Sequence, residues 1–168
     1  LMSVTGDKKS GPQKVGVALT DVMTGLYATV GILTAMAERE KSGLGQHIDL
    51  SLLDVTAATL ANQATNYLVG DKIPTGLGNA HPNIVPYQSF ETRDGHCIVA
   101  VGNDNQFVRL CEAIGMPELA SQAIYKTNKL RVINREKLIP ILQALLLNKD
   151  RDDWLNIFED AGVPAGPI

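Results

Sequence analysis

Gly16-Val17-Ala18-Leu19-Thr20-Asp21-Val22-Met23-Thr24-Gly25-Leu26-Tyr27 places one acid where a short apolar run meets a long helical pattern. Val15 to Leu19 reads as a strand. From Val22 to Glu40 the apolar residues Met23, Leu26, Tyr27, Val30, Ile32, Leu33, Ala35 and Met36 cover more than one helical face. That spacing predicts a helix buried on nearly all sides within a larger body. Gly25 and Gly31 cost helix propensity and predict close packing against another backbone. A carboxylate at this junction is either an N-cap, accepting a backbone N–H of the first turn, or a nucleophile kept ionised by the helix N-terminus. Spacing alone favours the cap. The two roles oppose each other, because tight capping blunts nucleophilicity; a nucleophilic Asp21 has to be lightly capped.

Outward from this helix, Glu38-Arg39-Glu40-Lys41 turns polar, and Ser42-Gly43-Leu44-Gly45 supplies the glycine of a C-terminal cap. His47-Ile48-Asp49-Leu50-Ser51-Leu52 alternates and reads as a second strand, and Leu53 to Leu68 as a second helix with Asp54 as its cap. Strand, helix, strand, helix with short connections predicts α/β layering with parallel pairing over residues 1–69. Residues 70–86, rich in Gly and Pro, read as a linker or active-site loop. Residues 87–161 read as a smaller α+β domain. Tyr87–Thr92 and His96–Val101 flank the hairpin signal Arg93-Asp94-Gly95. Asn103 is placed to cap a helix to Ile114. Thr127 to Asn148 is helical, with Asn134 restarting it so that Pro140 is tolerated. Asp150 is placed to cap a last helix through Ala161, whose apolar face includes Trp154 and Phe158. Gly162 and Pro164 end it, and residues 162–168 read as the start of a return linker.

Composition narrows the function. The net charge of −3 carries no nucleic-acid footprint. The longest apolar stretches are broken by Asp, Thr, Gly or Asn, so no membrane span is expected. Cys97 and Cys111 lack metal-ligand spacing and fit small core residues in a reducing, cytoplasmic setting. No signal peptide or dinucleotide- or P-loop-type glycine motif is visible. His47 and His96 fall on polar strand faces. The chain opens on Leu1 and stops within a turn, so it is expected to be a fragment of a longer protein.

The run Val15 to Tyr27 closely resembles the aspartate segment of family III CoA-transferases, the CaiB/BaiF group that includes formyl-CoA transferase. So do Glu40-Lys41-Ser42-Gly43-Leu44-Gly45-Gln46-His47-Ile48-Asp49 and His81-Pro82-Asn83-Ile84-Val85-Pro86-Tyr87-Gln88. Asn128, Arg131, Asn134-Arg135 and the closing Gly162-Val163-Pro164-Ala165-Gly166-Pro167-Ile168 match too. The blocks run in order along essentially the whole chain, and they look most like the branch that moves CoA from succinyl-CoA onto dicarboxylates such as glutarate.

The resemblance implies a fold and a chemistry. The fold is part of a Rossmann-like large domain joined to a small α+β domain, truncated at both ends. The chemistry is CoA transfer from an acyl-CoA to a small carboxylic acid, through an aspartyl anhydride and an aspartyl-CoA thioester on Asp21. Neither a metal nor a redox cofactor is implied, since CoA is itself the substrate. The CoA nucleotide would be held by an upstream half, and the working form would be an interlocked homodimer. In Pro74-Thr75-Gly76-Leu77-Gly78-Asn79-Ala80-His81-Pro82-Asn83 the resemblance places an active-site loop, although an unbroken glycine run is missing. His81, Asn79 and Gly78 are its candidate substrate-binding residues. Two alternatives accompany this reading. One is an α-methylacyl-CoA racemase, which shares the fold and the aspartate but needs a histidine upstream of Leu1. The other is a folded module without turnover.

Overall fold

Apolar residues spread around Val22–Met36 do form one long helix. In the computed structural model, which describes residues 1–168, α1 spans Leu19–Ser42. Its threonines fit because Thr24, Thr29 and Thr34 each donate their hydroxyl to the carbonyl four residues back, at 2.7–2.8 Å. Gly43 closes it in the left-handed region, φ 73°, with its N–H on the Arg39 carbonyl. The chain divides into two units, Leu1–Gly78 and Asn79–Ile168.

The first unit departs from the sequence reading in several ways. Neither Val15–Leu19 nor His47–Leu52 forms a strand; α1 already begins at Leu19, and residues 43–50 are irregular. A strand exists only through a ladder partner, and Leu1–Gly78 contains no other extended segment paired with either run. The parallel strand–helix–strand–helix order is therefore not formed, and this unit is helical. Second, α1 buries no residue: Val22, Leu26, Val30 and Leu33 stand at 56–64% exposure. The apolar faces that predicted burial are uncovered within these 168 residues. Third, α1 is long and apolar enough to cross a membrane by length and composition, which corrects the expectation drawn from its broken runs. Scattered Thr, Gly and Asp lower the average hydropathy too little to fail that test, and the core helix of a soluble body passes it as well. Fourth, Gly31 packs on the Ile48 side chain rather than on a backbone, and Gly25 faces open space.

The second helix is two. α2 is Leu52–Thr59 and α3 is Asn62–Leu68, broken at Ala61, which sits at φ 46°. Ser51, not Asp54, caps α2: its Oγ accepts the Asp54 N–H at 3.0 Å. The Asp54 carboxylate then stands in the first turn, where the helix dipole favours it. α2 meets α1 where the Thr56 hydroxyl donates to Thr20 Oγ1 at 3.0 Å, and Val55 of α2 is buried.

The second unit has a three-stranded antiparallel sheet of β1 Tyr87–Glu91, β2 His96–Ala100 and β3 Ala165–Pro167, in the order β1-β2-β3. The hairpin pairs Tyr87 with Ala100 and Glu91 with His96. Residues 165–167, read as linker, instead add an edge strand pairing Cys97 with Pro167; an edge tolerates the proline, which has no N–H to give. Five helices accompany it: α4 Asp104–Ala113, α5 Glu118–Ser121, α6 Asn128–Ile133, α7 Arg135–Leu146 and α8 Arg151–Asp160. Phe90, Val99, Phe107, Leu138, Trp154 and Phe158 belong to one continuous core. Cys97 and Cys111 lie in it as free thiols, and burial pushes Cys111 up to about 12.

Local chemistry sets the helix ends. Asn103 Oδ1 accepts the Gln106 N–H at 2.9 Å, as its position predicts. Asn134 breaks the α6–α7 run, but its side chain donates to the Ile124 and Leu130 carbonyls rather than capping α7. Asp150 holds the N-cap position of α8, as predicted, but its side chain makes no capping bond. Its carboxylate is taken by Arg93 in a two-pronged pair at 2.6 Å, and Asp94 of the hairpin turn accepts the Arg151 N–H instead.

Arg131 is the largest fully buried side chain. Its Nε donates to the Val85 carbonyl at 2.8 Å and its Nη1 to the Tyr125 carbonyl at 3.1 Å. Nη2 forms an ion pair with Asp104 Oδ1 at 2.9 Å. The guanidinium also sits 4.4 Å over the Phe107 ring. Arg131→Met strands two carbonyls. At about 1–3 kcal/mol for each unsatisfied buried group, it is expected to lower the stability of this unit by about 2–6 kcal/mol. Urea unfolding followed by fluorescence of the single tryptophan, the buried Trp154, measures it.

Candidate functional site

Asp21 is the third residue of α1, and Ala18, not Asp21, occupies the N-cap position. Alanine has no side-chain acceptor, and no side chain caps this end. The cap role therefore falls away. The Asp21 carboxylate is exposed and held by no hydrogen bond, while Val22 N–H reaches the Ala18 carbonyl at 3.1 Å and starts the regular ladder. The amides of Thr20 and Asp21 are among the first four of the helix and donate to nothing within the chain. Asp21 lines an open hollow of about 610 Å³, together with Lys14, Ala18, Thr20 and Thr56. The Thr20 side chain is anchored by the Thr56 hydroxyl, and its carbonyl takes the Thr24 hydroxyl at 2.7 Å. Chemically this is an unencumbered carboxylate beside two unused N–H donors, in a hollow that Lys14 also lines.

The other predicted residues lie in the 70–86 stretch. Gly78 closes the first unit at φ 60° with its N–H on the Gly6 carbonyl at 2.8 Å. Its neighbour Gly76 needs glycine outright, because a Cβ there would stand 2.5 Å from the Gly6 oxygen. Close backbone packing thus explains Gly76, and the left-handed φ explains Gly78. Asn79 opens the second unit and donates to Ser89 Oγ on β1 at 2.9 Å. His81 is half-buried, stacked on Tyr87 with ring centroids 5.3 Å apart. Its Nδ1 accepts the Asn83 N–H at 3.1 Å, and Arg135 Nη2 donates to its carbonyl at 2.6 Å. Burial first, and then the charge of Arg135, push the His81 imidazolium below its ordinary range. The structure thus brings Asn79 and His81 together beside β1, while Asp21 and Gly78 belong to the first unit. No group of three or more His, Cys, Asp and Glu is placed to hold a metal ion.

Lys14, Tyr87 and Arg135 were not singled out as site residues from sequence. Lys14 looked like one of many scattered basic residues, and nothing in its neighbourhood marks it. Arg135 had a signal, its place in the Asn134-Arg135 block, but its contact with His81 spans 54 residues of chain.

A family model described as CoA-transferase family III matches residues 1–168. The chain belongs to CoA-transferase family III. It is 47% identical, over 99% of its length, to a succinate–glutarate CoA-transferase of Agrobacterium fabrum, and covers 42% of that protein. It is 45% identical over its whole length to a human succinyl-CoA:glutarate CoA-transferase, of which it covers 38%. A crystal structure of a CaiB/BaiF family protein from Brucella suis matches 99% of this chain with a TM-score of 0.74 and 47% identity, over 44% of that chain. The family III chain therefore spans about two-fifths of the length of the curated relatives it matches.

The lowered His81 value has a consequence for stability. The unfolded state takes up a proton near pH 6.5, while the folded state resists until lower pH. Stability of the second unit is therefore expected to fall as pH drops below about 6.5 and to level off below the folded value. The loss should be absent in His81→Gln. Urea midpoints between pH 7.5 and pH 4.5, compared for the two proteins, measure the difference.

Proposed function

We propose that the protein of which this chain is part transfers CoA from an acyl-CoA, with succinyl-CoA as donor, to a dicarboxylic acid of the glutarate type, with Asp21 as nucleophile. The observation that carries this reading is the Asp21 carboxylate itself, uncapped and exposed beside the unused Thr20 and Asp21 amides. Family membership and the names of the relatives support the substrate classes.

An Asp21 oxygen attacks the thioester carbonyl, CoA thiolate leaves, and a mixed aspartyl anhydride forms. The thiolate attacks the aspartyl carbonyl and releases the donor acid, leaving an aspartyl-CoA thioester. The acceptor carboxylate attacks that thioester, the thiolate leaves again, and a second anhydride forms. The thiolate finally attacks the acceptor's acyl carbon, giving the new acyl-CoA and restoring Asp21. Each exchange trades one activated acyl for another, so the steps are near balance and draw on no outside energy. Each also passes through an oxyanion. Free amides at a helix start are suited to stabilise it, since they point partial positive charge outward and need no reorganisation. His81 is the proposed contact for the acceptor, with Asn79 and Gly78 shaping its loop. The exposed apolar sides of α1 and the buried reduced thiols support a cytoplasmic homodimer as the working form.

With full-length protein, succinyl-CoA and glutarate, Asp21→Ala is expected to lower the turnover rate by about a thousandfold or more. Hydroxylamine added during turnover should convert Asp21 to a hydroxamate, seen by peptide mass spectrometry. Undiminished transfer in the alanine variant would sink the proposal. Deuterium exchange at the carbon alpha to the thioester, with no trapped aspartate, would replace transfer by racemase chemistry.

A further inference from the structure

The turn at residues 81–83 is held more tightly than a surface connection requires. The His81 N–H donates to the Tyr87 carbonyl at 2.9 Å, and its ring stacks on Tyr87 at an interplanar angle of 18°. Arg135 Nη2 donates to the His81 carbonyl at 2.6 Å and the Pro82 carbonyl at 3.1 Å. Because His81 Nδ1 accepts the Asn83 N–H, the ring is neutral with its proton on Nε2. That proton has no partner in the chain.

Arg135 itself is unbalanced. The ion pairs of this unit are Arg93–Asp150, Arg131–Asp104 and Arg151–Asp152, and none includes Arg135. Its Nη1 is buried without any partner. The groups that face His81 are Tyr87 from β1 and Arg135 from α7; Glu136, next to Arg135, acts on the guanidinium only through space. A free imidazole N–H on a turn that an unneutralised guanidinium holds by its carbonyls favours an anion, and a carboxylate accepts from neutral N–H donors at short range.

We propose that Arg135 is a positioning residue for His81. It pins the 81–82 carbonyls so that the neutral imidazole offers its Nε2 proton to the carboxylate of the acceptor acid. This rests on the reading of His81 as the acceptor contact. Tyr87 sets the plane of the ring, Asn83 its tautomer, and Arg135 the position of the turn that carries both. Direct contact between Arg135 and the acceptor is not part of the role.

The test uses full-length protein and two substitutions, Arg135→Gln, which removes the charge, and Arg135→Lys, which keeps the charge but loses the planar fork. Long-range proton–nitrogen NMR of the histidine rings should show His81 as the Nε2–H tautomer in the wild type. In Arg135→Gln the tautomers should mix and the His81 titration should move up. The acceptor KM should rise about tenfold, equivalent to about 1.4 kcal/mol, with the donor KM and kcat within about twofold. Arg135→Lys should raise the acceptor KM while leaving the titration near its wild-type position. In a His81→Ala background, Arg135→Gln should add less than a twofold change, because both act through one contact. A wild-type proton on Nδ1 overturns the proposal even if the protein shows no transferase activity. A raised acceptor KM in His81→Ala with unchanged KM in both Arg135 variants overturns the part of Arg135 alone. A normal acceptor KM in His81→Ala overturns the reading of His81 on which the proposal stands. A full additive loss in the double variant means that Arg135 acts by itself, and also overturns it. Circular dichroism melts of each variant separate these outcomes from a loss of fold.

Discussion

A guanidinium removed from water has to find acceptors, whereas an amide at an exposed helix start can stay open to solvent, and the two units of this chain show one case each. In the second unit Arg131, without any exposed surface, is answered by two carbonyls, one carboxylate and an aromatic face. The carbonyls belong to Val85 and Tyr125, so one side chain ties the segment before β1 to the segment before α6. In the first unit the amides of Thr20 and Asp21 are left open at the start of α1. One end of the chain spends its polar groups on structure, and the other keeps two of them available.

The same contrast holds for the charged side chains. Asp150, read as a helix cap, and Asp94, read as a turn residue, are each committed across the fold, one to Arg93 and the other to the Arg151 amide. Asp104 is shared between the Asn128 amide and Arg131. Asp21 has no such commitment. A carboxylate that nothing else uses, at a helix start that nothing else caps, is chemically cheap to bring to a carbonyl carbon. Arg135 stands between these cases, with one nitrogen committed to two carbonyls and another buried and unanswered.

Hairpin, helix and core positions in residues 87–161 were legible because their signals are local. Arg93-Asp94-Gly95 is a turn by residue type, Asn103 caps by its place before an apolar face, and Phe107, Leu110, Cys111 and Ile114 repeat at helical spacing. Residues 15–19 and 47–52 were misread because an apolar run is only a candidate strand until something pairs with it. Asp54 was misread as the cap of α2, and Asp150 holds the predicted cap position of α8 without a capping bond, because several polar groups compete at each helix start. Ser51 won the first contest by position, and Arg93 took Asp150 out of the second by charge.

By itself the sequence determined that α1 would be long and apolar on more than one face, that an aspartate would stand at its N-terminal junction, and that the ordered blocks resemble one enzyme family. Those are properties of residue type and spacing, which the chain carries wherever it folds. Only the tertiary structure decided that Ala18 rather than Asp21 holds the cap position, that residues 165–167 complete the sheet, and that Arg135 reaches back to His81. These depend on which groups arrive first at a shared partner, and contacts spanning 54 and nearly 70 residues are settled by packing rather than by neighbours in the chain.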